Sequence, residues 1–168
     1  QKFSESINKL PYDGNKFINI ESQQAYNNLN DILESPTSKM LSGIVVGRSD
    51  LTKSFGYGKQ DVMSSEICKV VTHILQESKK LGLKTYMGGN IGTQSIEFIQ
   101  ELFKKEILDC IETRNVILSL DESNINDLNT IISLMLEWES LWLESKASHY
   151  NRFSTEYNTR SKEIQDRL

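Results

Sequence analysis

Short apolar runs alternate with amphipathic stretches along most of this chain. Apolar runs bounded by glycine, asparagine or serine predict strands, and apolar positions three or four residues apart predict helices. The predicted strands cover residues 16–20, 43–47, 83–87 and a segment within 107–118. The predicted helices between them cover residues 23–33, 64–81 and 93–105. A repeated strand–helix alternation predicts βα units and a parallel sheet.

The end signals of the second predicted helix are the clearest in the chain. Either Ser64 or Ser65 has the right position and chemistry for an N-cap, and Gly82 follows as a stop signal. A polar, glycine-bearing loop is predicted before this helix, over residues 48–63.

The C-terminal part of the chain reads as one long helix from residue 123 to about residue 150. Its apolar positions form a single stripe, as expected for a helix that packs on one side. The members of the stripe are Leu128, Ile131, Ile132, Met135, Trp138, Leu141 and Trp142. This stripe predicts a core or interface contact, and the residues beyond it are polar.

Both an open doubly wound sheet and a closed barrel fit the strand–helix rhythm. Four βα units are half of a (β/α)₈ barrel, which usually needs about 250 residues. An isolated half would leave unpaired sheet edges, so it requires a second half from elsewhere. The first residues, Gln1 to Glu5, contain neither an initiator Met nor an apolar signal segment. We therefore expect this chain to be part of something longer, or to associate with a partner.

Composition excludes several functional classes. The 168 residues are 38% hydrophobic and 25% charged, which is an ordinary globular balance. The net charge of −4 gives no electrostatic reason to bind nucleic acid or an anionic membrane. There is no run of 18 apolar residues. Two distant cysteines predict reduced thiols in a cytoplasmic protein, and two separated histidines do not make a zinc site.

Two acidic residues stand where barrel enzymes place their active sites. Glu21 directly follows the first predicted strand, and Asp50 follows the second by three residues. Both carboxylates would therefore lie at the C-terminal rim of neighbouring parallel strands. Oxygen ligands without His or Cys suit Mg²⁺ or Mn²⁺. The plainer alternative is that Glu21 caps its helix and Asp50 forms a turn.

Other rim residues have the chemistry of ligand contacts. Gly47, Arg48 and Ser49 leave the second strand, where glycine permits close backbone approach and arginine binds carboxylate or phosphate. Gly88 and Gly89 end the third strand, as an anion-binding loop or simply as a tight turn. The charged run Glu112-Thr113-Arg114, at the fourth strand, predicts either a rim site or, as the safer reading, an internal ion pair.

The order and spacing of these motifs resemble the aldolase/citrate lyase (HpcH/HpaI) family of the phosphoenolpyruvate/pyruvate barrel superfamily. The resemblance runs from about residue 17 to residue 150. The segments that carry it are residues 18–22, 43–51, 88–89 and 112–114, together with 136–143 followed by Lys146 and Tyr150. It implies an α/β fold that is the C-terminal half of a TIM-type (β/α)₈ barrel with a long C-terminal helix. Residues 1–122 would form strands 5–8, and residues 123–168 a helical extension that contacts another subunit of a homo-oligomer.

The resemblance also implies a chemistry. Glu21 and Asp50 match the family's metal-binding acids, and Gly47, Arg48, Ser49, Gly88 and Gly89 would contact substrate. Bound Mg²⁺ or Mn²⁺ would stabilise the enolate formed when a carbon–carbon bond breaks in a 2-oxo acid or an acyl-CoA-linked acid. Arg48 departs from the small residue or proline common in well-studied members. The family's other catalytic groups belong to the first half of the barrel, so we expect this chain to be inactive alone.

Two other functions remain open on the sequence. One is a phosphoenolpyruvate mutase-like or phosphate-handling barrel reaction, in which Arg48 would meet phosphate. The other is a non-catalytic half-barrel that serves in assembly. In each case the partner of the chain would be an N-terminal half-barrel or a second copy.

Overall fold

The computed structural model describes residues 14–168, so the first 13 residues of the predicted half-barrel lie outside the described residues. The strands are β1 (Phe17–Ile20), β2 (Gly43–Gly47), β3 (Lys84–Gly88), β4 (Cys110–Glu112) and β5 (Ile117–Ser119). The α-helices are α1 (Gln23–Asn27), α2 (Leu29–Glu34), α3 (Arg48–Ser54), α4 (Ser65–Lys80), α5 (Ile96–Lys104) and α6 (Leu128–Gln165). Short 3₁₀ segments cover Pro36–Met40, Lys59–Met63 and Thr93–Ser95.

The sheet follows the order of the chain, β1-β2-β3-β4-β5. The first four strands are parallel, and β5 runs antiparallel to β4 as the second arm of a hairpin. Parallel crossovers are right-handed, so a strictly sequential order puts the connecting helices on one face of the sheet. A doubly wound sheet instead reverses its order and has helices on both faces. The topology is therefore that of barrel folds.

The two faces of the sheet are accordingly different. Ile20, Val46, Met87 and Ile111 are register partners on one face, and they join the buried residues of the helices in a single hydrophobic core. On the opposite face Asn19 is exposed, and the half-buried rings of Phe17 and Tyr86 meet edge to face at 4.9 Å between centroids. This second face is the one that the interior of a barrel would occupy.

Helix α4 supplies most of the contact with the core face. The Ser64 Oγ accepts a hydrogen bond from the Ile67 backbone N–H at 3.4 Å, and Gly82 follows the helix with a φ of 72°. Both end signals were predicted, and the structure selects Ser64 rather than Ser65 as the cap. Isoleucine, valine and leucine side chains of one helical face pack on β2 and β3: Ile67, Val71, Ile74 and Leu75.

Three sequence predictions of element boundaries were wrong. The helix predicted at residues 23–33 is two short helices with a break at Asn28, whose side chain donates to the Gln24 carbonyl at 2.8 Å. The loop predicted at residues 48–63 is mostly α3 and a 3₁₀ segment. The single strand expected within residues 107–118 is the β4–β5 hairpin, closed by a hydrogen bond from the Thr113 N–H to the Val116 carbonyl at 2.9 Å.

Helix α6 begins later and ends later than the predicted 123–150. Leu128, Ile132 and Met135 in its first turns are buried, whereas Trp138 and Leu141 of the same predicted stripe are largely exposed. Its docked end is anchored by a hydrogen bond from the Gln100 Nε2 to the Ile125 carbonyl at 3.0 Å. Most of the helix therefore extends away from the core.

No helix in residues 14–168 combines the length and apolarity needed to cross a bilayer.

Candidate functional site at the carboxyl ends of the strands

Four residues lie in one row across the carboxyl ends of β1 to β4. Ile20 pairs with Val46, Gly47 with Gly88, and Met87 with Ile111, so the next positions in register are Glu21, Gly47, Gly88 and Glu112. Side chains at equivalent register positions of parallel strands point to the same face. The row therefore consists of two carboxylates that flank two residues without side chains.

The Glu21 side chain lies directly over Gly47. A methyl group on Gly47 would be 2.9 Å from Glu21 Oε2, closer than real contacts, and 3.1 Å from its Cβ, which is tighter than most contacts. The following helix is capped by Ser22, whose Oγ accepts from the Ala25 N–H at 3.1 Å. Glu21 is thus not the cap of α1, which was the plainer alternative for this residue, and its carboxylate remains at the rim.

Glu112 has the corresponding position at the other end of the row. A methyl group on Gly88 would lie 2.8 Å from Glu112 Cγ and 3.0 Å from Oε1. Burial raises the pKa of the Glu112 carboxyl. Within the described residues the Glu112 carboxylate has no salt bridge, including none with Arg114. The internal ion pair favoured on the sequence is therefore not formed.

Gly89 brings the end of β3 against the start of α3. It has a φ of 81°, and a Cβ at this position would lie 2.5 Å from the backbone nitrogen of Ser49 and 2.9 Å from that of Arg48. Only glycine tolerates both the positive φ and this approach. The glycine loop predicted at the end of β3 is present, and it packs against the start of α3.

A cavity of about 420 Å³ opens beside Glu112. This volume is within the range of small-molecule sites, roughly 300–1,000 Å³. Its lining combines the rim loops with the first part of α6: Ser49, Gly89, Asn90, Ile91, Glu112, Thr113, Arg114, Leu136 and Glu139. Of the residues predicted to bind substrate, Ser49 and Gly89 line this cavity, whereas Gly47, Arg48 and Gly88 do not.

Arg48 is oriented away from the cavity. Its side chain is fully buried, and its guanidinium donates to the Gly88 carbonyl at 3.4 Å, the Asn90 carbonyl at 3.3 Å and Ser95 Oγ at 3.1 Å. Burial lowers the pKa of Arg48 to about 10. The prediction that Arg48 contacts substrate is therefore replaced by a positioning role, in which it holds the β3 loop against α3.

Asp50 lies in the first turn of α3 and is exposed. Gly47, the residue beneath Glu21, is the N-cap of the same helix. Across the described part of the chain no three His, Cys, Asp or Glu side chains are grouped as a metal site. Glu21 and Asp50 therefore follow the carboxyl ends of the neighbouring strands β1 and β2.

Sequence reasoning missed two features of this site. Glu112 was noted as unusual for a buried strand, but its register with Glu21 depended on where β4 begins, which the apolar pattern did not show. Leu136 and Glu139 were assigned to a helix outside the barrel, and only the docking of α6 brings them to the cavity.

Comparison with solved structures identifies the fold as an α/β barrel type. The chain is similar to RipC from Yersinia pestis, with a TM-score of 0.51 and 13% identity. The match covers 78% of this chain and 57% of RipC. A variant of the citrate synthase SbnG matches at a TM-score of 0.46 and 17% identity, over 74% of this chain and 48% of that one.

The chain therefore spans about half the length of these neighbours. No protein-family model matches the sequence. No curated protein matches it either. The comparisons establish the fold, and the sites described above carry the functional argument.

Proposed function

We propose that this chain is part of a metal-dependent carbon–carbon lyase or aldolase that acts on a 2-oxo acid or an acyl-CoA-linked acid. The observation that carries the proposal is the row at the carboxyl ends of the strands, with Glu21 over Gly47 and Glu112 over Gly88. Barrel enzymes place their chemistry at this rim. The barrel fold is compatible with such a reaction, and the residues of the site carry the assignment because one fold hosts many reactions.

Glu21 and Asp50 would hold the metal. Their oxygen donors match the preference of Mg²⁺ and Mn²⁺, and Mg²⁺ commonly uses one or two carboxylates while it retains several waters. Glu21 is at the end of β1, and Asp50 is in the helix capped by the glycine beneath Glu21. When bound, the ion would supply a Lewis acid that stabilises an enolate.

The remaining rim residues would shape the substrate site. Gly47 and Gly88 make room for the Glu21 and Glu112 side chains that lie over them, because a Cβ at either glycine would meet those side chains. Ser49 and Thr113 offer hydroxyls to the cavity, and Arg114 offers a cation for a carboxylate. Leu136 of α6 adds an apolar side chain to the lining of the cavity.

Arg48 weighs against the phosphate-handling alternative. A phosphate-handling reaction would require the Arg48 guanidinium to contact phosphate, whereas the guanidinium is buried against backbone carbonyls. An assembly module without catalysis remains the main competitor, and metal binding separates it from an enzyme.

The first test is Mn²⁺ binding to the full-length protein, measured by electron paramagnetic resonance of free Mn²⁺. We expect Glu21→Gln and Asp50→Asn each to weaken binding by about tenfold or more, since each removes a ligand worth at least ~1.4 kcal/mol. Glu97→Gln is the matched control, because Glu97 is an exposed acid on α5.

Unchanged Mn²⁺ affinity in both site variants would remove the metal site from the proposal. If the protein binds Mn²⁺, product analysis by NMR with pyruvate- and oxaloacetate-type acids distinguishes cleavage from rearrangement. Neither binding nor turnover would leave assembly as the function.

A further inference from the structure

We infer that Glu112 is the group that exchanges a proton with the carbon of the bound acid, and this role rests on the proposed lyase function. The structure offers three independent geometric observations for it: the register row, the adjoining cavity and the lack of a partner for the carboxylate.

The register row places Glu112 opposite the proposed metal site. Glu21 leans onto Gly47 and Glu112 leans onto Gly88, and the two glycines are paired on neighbouring strands. Neighbouring strands are ~4.8 Å apart, and the two carboxylates lie over neighbouring strands at the same rim. A small acid bound at this rim can therefore meet an oxygen ligand of the proposed metal site and the acid of Glu112.

The cavity gives Glu112 access to such a substrate. Glu112 lines it together with Ser49, Thr113 and, from α6, Leu136. A carboxyl group that is half-buried yet faces an open volume can reach a bound molecule while water is partly excluded.

The charged surroundings leave Glu112 free to carry a proton. Arg114 and Glu139 line the same cavity, and among residues 14–168 Arg114 forms no salt bridge with Glu112. Burial raises the pKa of its carboxyl, which moves it toward the neutral acid that a proton donor requires. A structural carboxylate would instead be held by a cation or by N–H donors.

The step balances without another reagent. In the cleavage direction the Glu112 carboxyl gives its proton to the terminal carbon of the enolate, the electron pair of the enolate double bond forms the new C–H bond, and the oxygen becomes a carbonyl. Glu112 is left as a carboxylate and recovers a proton from water. In the reverse direction the carboxylate removes the proton from the methyl carbon of the 2-oxo acid.

The test is exchange of the methyl protons of pyruvate with D₂O, followed by proton NMR with Mg²⁺ and full-length protein. This reaction needs no aldehyde or acyl partner. We expect Glu112→Gln to slow exchange by about 100-fold or more, the usual contribution of a general acid or base. Its Mn²⁺ affinity should stay at the wild-type value, which also shows that the variant is folded. Glu97→Gln should leave both quantities unchanged.

Gly88→Ala provides a second variant that keeps the carboxyl group but displaces it, because the new methyl meets Glu112 Cγ at 2.8 Å. We expect slower exchange with unchanged Mn²⁺ affinity here too. Wild-type exchange in Glu112→Gln at full metal occupancy would overturn the role of Glu112 and leave the lyase proposal intact. Absence of exchange in the unmodified protein would overturn the lyase proposal for 2-oxo acids and the role of Glu112 with it.

Discussion

At Arg48 the chain buries a full positive charge without a carboxylate partner among the described residues. Removal of a cation from water is costly, and here it is offset by hydrogen bonds to carbonyl and hydroxyl oxygens. Those acceptors belong to Gly88, Asn90 and Ser95, on the segment that forms the cavity wall. From its buried position, Arg48 therefore holds this part of the rim in place.

The Arg48→Ala variant should lower the free energy of unfolding by about 3 kcal/mol. The substitution removes a large buried side chain and leaves buried acceptors unpaired. Urea titration followed by circular dichroism measures this loss. Lys53→Ala on the same helix is the control, and because Lys53 is exposed its effect should stay within ~0.5 kcal/mol. An unfolding energy of Arg48→Ala equal to that of Lys53→Ala would contradict the positioning role.

The position of a single residue could be predicted where it depends only on the end of a strand. Glu21 could be placed at the rim because it directly follows a short apolar run. Arg48 could not be assigned, because an arginine after a strand has the same local sequence whether it turns to solvent or to the core. That direction was decided by the acceptors on the β3 loop, about 40 residues further along the chain.

At the scale of single elements, the start of α4 offers a sharp test. Two serines were equally good N-caps on the sequence, and the structure gives the hydrogen bond to Ser64. We expect Ser64→Ala to destabilise the protein by about 1 kcal/mol, because the Ile67 N–H loses its acceptor. Ser65→Ala should be neutral or slightly stabilising, since alanine is the better helix former at the first helical position.

Thermal unfolding of the two serine variants measures this difference. A larger loss of melting temperature in Ser65→Ala than in Ser64→Ala would show that the helix begins one residue later than described.

The sequence of the β4–β5 hairpin explains why a single strand was predicted there. Residues 107–118 have apolar residues on both sides of the polar run 112–115, and a periodic pattern cannot separate one interrupted strand from two short paired ones. The Thr113 side chain closes the turn by accepting from the Val116 N–H at 3.3 Å. The position of the turn is therefore fixed by the pairing of β4 with β3 and by the hydrogen bonds within the turn itself.

At the scale of the whole molecule, the exposed apolar residues of α6 are the feature that needs a partner. Leu134 and Leu141 are each 58% exposed and Trp138 is 47% exposed, on the part of the helix that follows its docked first turns. These spacings place the three side chains on one helical face. An exposed apolar stripe of this kind favours a partner, so we keep the proposal that α6 contacts a second subunit.

The combined Leu134→Glu and Leu141→Glu variant should dissociate the oligomer. Two charges placed in an apolar contact would be buried without partners, which costs several kcal/mol. Sedimentation velocity across a concentration series measures the mass of the particle. Ser140→Glu, an exposed polar site on the same helix, is the control and should retain the wild-type mass. A monomeric wild-type protein at every concentration would contradict this proposal.

The sequence by itself determined the strand–helix order, the parallel sheet and the position of Glu21 at a strand end, because these depend on local apolar periodicity and on short-range end signals. Tertiary structure alone decided that Arg48 turns inward, that Glu112 comes into register with Glu21 and that α6 lines a cavity. Each of these depends on contacts between residues far apart in the chain, and the free energies that select them arise only once the sheet and its helices have packed.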